Sequence, residues 1–71
     1  MEIVFTKHAR ARLKERGISE KNVKEAIIFP DKSLSGYANK KLIQKKIKNK
    51  NLVVIYIEEN KSKIIITTYW R

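Results

Sequence analysis

Two periods of apolar residues divide this chain, a helical one before Pro30 and a two-residue one after Lys40. Ile3-Val4-Phe5 is a short apolar opening, either a brief strand or the hydrophobic lead-in to a helix. Thr6 is suited to cap that helix, because its hydroxyl can accept an otherwise unpaired first-turn amide. Lys7 to Arg16 is built from strong helix formers, and Gly17 is placed to end it in the left-handed conformation. Within it Ala9 and Leu13 stand at i, i+4, and Ile18 beyond the glycine extends this narrow apolar stripe. Ser19 caps a second helix with Glu20 in its first turn, where the helix dipole favours an acid. Val23, Ala26 and Ile27 form its apolar face, and Pro30 forbids continuation past Phe29.

Beyond the Pro30-Asp31 turn, residues 32–39 read as a loop or ragged edge strand. From Lys40 onward Ile43 and Ile47 share one face with Lys45, while Gln44, Lys46 and Lys48 face the other way, the mark of a half-exposed strand. Asn49-Lys50-Asn51 is expected to turn the chain. Leu52 to Ile57 is apolar on both faces, as a central strand would be, and residues 58–62 turn it again. Ile64 to Trp70, β-branched and then aromatic, is the last strand. The expectation is one α+β domain spanning 1–71, with two N-terminal helices packed on a three- to four-stranded antiparallel sheet.

Composition limits what holds such a domain together. With no cysteine and one histidine, neither a disulfide nor a tetrahedral zinc site can be built, so an Ile/Val-rich core must carry the stability. No metal and no cofactor is expected. The first residues lack the basic and long apolar regions of a signal peptide, and no apolar run is long enough to span a membrane. These readings, with the absence of cysteine, point to a soluble cytoplasmic protein.

Charge changes the picture most. The net charge is +10, and it is unevenly placed. Residues 1–36 carry eight Lys/Arg against five acids, and residues 37–71 carry nine against two. Between Lys40 and Lys50 there are six lysines and no acid. Such an excess on so small a body repels itself unless an anion relieves it, and nucleic acid is the commonest such anion. RNA is the expected partner, with an acidic protein as the alternative.

Candidate chemistry centres on His8, whose side-chain type exchanges protons near neutrality. On a helix His8, Ala11, Arg12 and Glu15 share a face distinct from the Ala9–Leu13 stripe, and Arg16 borders it. A helix N-terminus offers free amides to a phosphate, and Arg12 could grip it in a bidentate way. The competing reading is a lone histidine that merely packs or caps. Metal-independent RNA cleavage by the 2′-OH needs two proton carriers and cations for the phosphate. His8 supplies one carrier; Tyr69, Glu15 or a lysine could be the other. Thr67, Thr68, Tyr69 and Trp70 could stack a base and bind its phosphate, or the two aromatics could simply close the core. Tyr37, in the loop, is open in the same way.

The string Phe5-Thr6-x-His8-Ala9-x-x-Arg12-x-x-x-Arg16-Gly17-Ile18 resembles the opening of a family of short prokaryotic proteins catalogued as a domain of unknown function. The likeness continues through Val23, Ala26-Ile27, Pro30-Asp31 and Ile65-Ile66-Thr67-Thr68-Tyr69. That family is grouped with the RelE-like and BrnT-like ribonuclease toxins of toxin–antitoxin systems, whose fold also places helices before an antiparallel sheet. The resemblance implies a RelE-like domain that cleaves mRNA or tRNA, on or off the ribosome, and is held by an antitoxin protein. It implies His8, Arg12 and Tyr69 as catalytic residues, and Arg16 and Thr67 as RNA-binding ones. The strand lysines Lys45, Lys46 and Lys48 join the RNA-binding set on charge alone. Against this stand a non-catalytic nucleic-acid-binding module and a basic subunit of an acidic protein partner.

Overall fold

The first helix is closed at both ends by side-chain and backbone chemistry that acts locally. In the computed structural model, which describes residues 2–71, α1 (Lys7–Arg16) is capped by Thr6, whose Oγ1 accepts the Ala9 amide at 3.0 Å. Gly17 ends it at φ 64°, and its amide and that of Ile18 return to the last-turn carbonyls of Lys14 and Leu13. The second helix, α2 (Glu20–Ile28), repeats the scheme: Ser19 Oγ accepts the Asn22 amide at 3.1 Å. Phe29 and Pro30 then release the chain into the sheet.

Five strands follow or flank these helices: β1 (Glu2–Phe5), β2 (Lys32–Ser35), β3 (Lys40–Ile47), β4 (Lys50–Glu59) and β5 (Ser62–Trp70). Their spatial order is β1-β5-β4-β3-β2. Neighbouring pairs are antiparallel except β1 with β5, which is parallel. The class is α+β as expected, but the sheet is larger and mixed rather than three- to four-stranded and antiparallel. Two segments account for the difference. The apolar opening pairs with β5 in the register Phe5↔Ile65, and the ragged stretch pairs with β3 in the register Leu34↔Leu42.

The turns are tight. Asn60-Lys61 joins β4 to β5 with both residues at positive φ, the two-residue geometry that matches the twist of a hairpin. The β3–β4 turn is Lys48-Asn49, since Ile47 pairs with Lys50. It falls one residue earlier than the asparagines suggested, and Lys48 takes the positive φ. Between Ile55 and Tyr56 the register with β5 shifts, leaving Ile66 as an extra residue.

Side-chain alternation sorts the sheet into two faces. Ile43, Leu52, Val54, Tyr56 and Ile65 share one apolar cluster with Phe5, Ala9, Leu13, Ile18, Val23, Ala26 and Ile27. Ile3, Ile47 and Trp70 pack on its margin. Within it α1 touches β5 and β1, while α2 touches β3 and β4. Val53, Ile55 and Ile57 alternate to the opposite face. No helix among the described residues is long and apolar enough to cross a membrane.

Candidate nucleic-acid interface

The first turn of α1 is rich in basic side chains. Lys7, His8 and Arg10 occupy it, and no acid does. Thr6 takes up two of the amides there: Oγ1 accepts from Ala9, and its carbonyl accepts from Arg10 at 2.9 Å. The amides of Lys7 and His8, which precede the first intrahelical bond, are the ones a helix leaves unpaired. Thr6 also ties this terminus to the sheet, donating Oγ1 to the Ile65 carbonyl at 3.1 Å. His8 is exposed, on the helix side away from buried Ala9 and Leu13. One turn on, Arg12 is half-buried and bound to Glu15 at 2.8 Å. His8, Arg12 and Glu15 therefore share a face.

Arg16 behaves differently. Its guanidinium crosses to β5 and donates to the Thr68 carbonyl at 2.6 Å, while its own carbonyl accepts the Trp70 indole N–H at 2.7 Å. Beyond Ile65, where β1 ends, β5 has no strand on that side, and Arg16 occupies part of the free edge. Thr68 is fully buried and pairs with core residue Val54. Its neighbours Thr67 and Tyr69 pair with Ile55 and Val53 and so point to the opposite face. The catalytic set read from the sequence is thus divided: His8 and Arg12 stand together on α1, and Tyr69 lies across the sheet. Thr67 lies with Tyr69, apart from Arg16.

The lysines of β3 divide too. Lys45 reaches back to donate to the Phe29 carbonyl at 2.9 Å, a cation at the C-terminal end of α2. Lys46 faces the other way; its backbone amide donates to Asp31 Oδ2 at 2.7 Å, which leaves the ammonium exposed. Lys48 is exposed in the turn. Tyr37 is 93% exposed in the β2–β3 loop.

Among the described residues, carboxylate partners are found for Arg10, Arg12, Lys41 and Lys63. The last two share Glu58, at 2.7 and 3.2 Å. The hydrogen bond from Lys41, then that from Lys63, holds the Glu58 carboxyl below its ordinary value, and the same bond raises Lys41. Arg16, Lys45 and Arg71 donate to Thr68, Phe29 and Gln44 oxygens instead, and exposed Lys46 and Lys48 face solvent.

A family model described as "Domain of unknown function (DUF4258)" matches residues 5–70. The chain belongs to that family. The match runs from Phe5 to Trp70, and so takes in α1, the lysine-bearing hairpin and the whole of β5. No curated protein and no solved structure matches this DUF4258 chain.

The sequence offered Trp70 of this DUF4258 domain as a base-stacking or core-closing aromatic, but not its grouping with Lys50 and Asn22. Trp70 packs on the core margin with the Lys50 ammonium 5.5 Å from the centre of its ring. Beside them a depression of about 390 Å³ is lined by Asn22, Ile47, Lys48, Asn49, Lys50 and Trp70. Only the pairing Leu52↔Trp70 and the Ile47↔Lys50 turn bring these residues together. The available signal was the lone tryptophan together with a lysine run twenty residues earlier in the chain.

Proposed function

We propose that this domain binds RNA and acts on it as a toxin-type, metal-independent endoribonuclease, with chemistry centred on His8. The observation that carries the reading is the first turn of α1, which bears Lys7, His8 and Arg10 beside the free helix amides and no acid of its own, Arg10 being paired with Glu20 of α2. A phosphate seated there meets the helix dipole, the amides and Arg12 at once. In cleavage the ribose 2′-oxygen attacks phosphorus as the 5′-oxygen leaves, and one proton is removed while another is delivered. His8 performs one of these transfers. Arg12 and the amides balance the phosphate charge. With Tyr69 across the sheet, Glu15 on the His8 face or a lysine is left for the other transfer.

The test is incubation with total tRNA and mRNA in EDTA, comparing the unaltered chain with His8→Ala and Arg12→Ala. Cleavage by the unaltered chain and its loss in His8→Ala supports the reading. RNA left equally intact by all three ends the catalytic part. A second reading, an RNA-binding module that does not cut, draws on the placement of Tyr69 away from His8. It expects RNA binding that falls steeply with salt and is indifferent to His8→Ala.

A further inference from the structure

The depression beside Trp70 lies at the opposite end of α1 from His8, among Arg16, the start of α2 and the β3–β4 turn. At about 390 Å³ it falls within the range of small-ligand sites, roughly 300–1,000 Å³. Its lining has four chemical parts. Trp70 supplies an aromatic plate that is half-buried against the core and fixed in orientation by its N–H bond to the Arg16 carbonyl. Asn22 and Asn49 supply carboxamides, each with donors and an acceptor. Lys48 and Lys50 supply positive charge, and Ile47 an apolar wall. No carboxylate lines it.

Each part narrows the ligand. Two ammonium groups and no acid reject a cationic guest. An inorganic anion would use the lysines but not a fixed indole. A planar ring with polar edges and adjoining negative charge uses all four. Lys50 already sits over the indole at 5.5 Å, the place a stacked ring would take. It is an exposed side chain at the first residue of β4, beside the Lys48-Asn49 turn, with a long stem that can carry the ammonium from the ring to a neighbouring phosphate.

We propose that this depression receives one unpaired nucleobase of single-stranded RNA, stacked on Trp70, with its flanking phosphates held by Lys48 and Lys50 and its polar edge facing Asn22 and Asn49. The inference rests on the RNA-binding reading but not on cleavage. It makes the β3–β4 turn a second contact for the strand, separate from α1. Stacking needs an unpaired base, so the site discriminates against duplex.

Trp70 is the single tryptophan of the chain, so its fluorescence reports on the site alone. The experiment titrates the whole protein with a 2′-O-methylated single-stranded oligonucleotide, which cannot be cut through its 2′-oxygen. Binding is followed in parallel by anisotropy of a label on the strand. The same sequence as a duplex and heparin, a polyanion without bases, serve as comparisons. Saturable quenching of Trp70 by the single strand, absent with heparin and weaker with duplex, is the expected result. Asn22→Ala with Asn49→Ala should weaken single-strand binding several-fold, and Lys48→Ala with Lys50→Ala about tenfold with a shallower salt dependence. Both pairs keep Trp70 and its bond to Arg16, and circular dichroism confirms that they fold. Binding seen by anisotropy with unchanged Trp70 emission, or equal quenching by heparin, overturns the nucleobase site and leaves RNA binding standing. No binding by anisotropy overturns both.

Discussion

Arg16 and Trp70 hold each other across the end of the sheet: the indole N–H donates to the Arg16 carbonyl at 2.7 Å, while the Arg16 guanidinium donates to the carbonyl of Thr68, two residues before Trp70. The clasp joins the last turn of α1 to the part of β5 that β1 does not cover. Arg16, read from the sequence as an RNA contact, is thereby engaged within the protein. Replacing it with alanine should lower stability by about 1 kcal/mol, because a charge-assisted bond at a part-exposed site is lost. For a domain of this size that is a fall of roughly 4–8 °C in Tm, read by calorimetry. An unchanged Tm would show that the clasp contributes little.

Thr68 carries the opposite expectation. It is fully buried, and its Oγ1 has no hydrogen-bond partner among the described residues. A buried hydroxyl without a partner is destabilising by about 1–3 kcal/mol relative to an apolar group of the same shape. Thr68→Val keeps the β-branched form and should raise the urea midpoint with the slope unchanged. A drop instead would mean that the hydroxyl is satisfied.

Thr6 performs two tasks with one oxygen, accepting from Ala9 and donating to the Ile65 carbonyl. Thr6→Ala should destabilise by about 1–2 kcal/mol, more than loss of an average cap. Thr6→Ser keeps both bonds and should recover most of the loss. If serine and alanine behave alike in denaturant unfolding, the hydroxyl is not the cause.

Gly17 stands at φ 64°, and a Cβ added there would meet nothing within 4 Å. The penalty of Gly17→Ala is therefore backbone strain alone, about 1 kcal/mol. Gly17→Asn should be milder, since asparagine tolerates this region. Equal midpoints for glycine and alanine in urea would refute the assignment.

Glu58, with Lys41 and Lys63, gives a pH signature. Its folded carboxyl is held below the ordinary 4.5, so its contribution is complete above that value and disappears as pH falls through the lower folded midpoint. Lys41 mirrors it: its contribution is complete below 10.5 and is lost as pH rises through a higher folded midpoint. Glu58→Gln should thus differ from the unaltered chain near neutrality and converge with it in acid. The Glu58 and Lys41 side chains are open to solvent, so salt should shrink the difference. Melting curves across pH and ionic strength check both trends.

Much of the fold was legible locally. Thr6, Gly17 and Ser19 mark the helix ends because a cap or a positive φ is decided by a few adjacent atoms. The strands β3, β4 and β5 show in their alternation and β-branched content, and their order follows from short turns. The β3–β4 turn was misplaced because Asn49 and Asn51 both favour turns, while the pairing Ile47↔Lys50 fixed the loop. The candidate site was less legible. Helical spacing put His8, Arg12 and Glu15 on one face, but no local pattern tells which face of the sheet Tyr69 takes relative to α1.

The sequence by itself determined a basic α+β chain with two capped helices, a lysine-rich hairpin and a histidine near a helix start, whose exposure came only with the structure. Tertiary structure decided that Phe5 runs parallel to Ile65, that Lys45 serves the end of α2, and that Arg16 holds β5. It also gathered Trp70, Lys50 and Asn22 around one depression. The division has a physical reason. Capping, helix periodicity and charge depend on residues a few positions apart, whereas strand order and the partners of long side chains depend on which distant surfaces exclude water together.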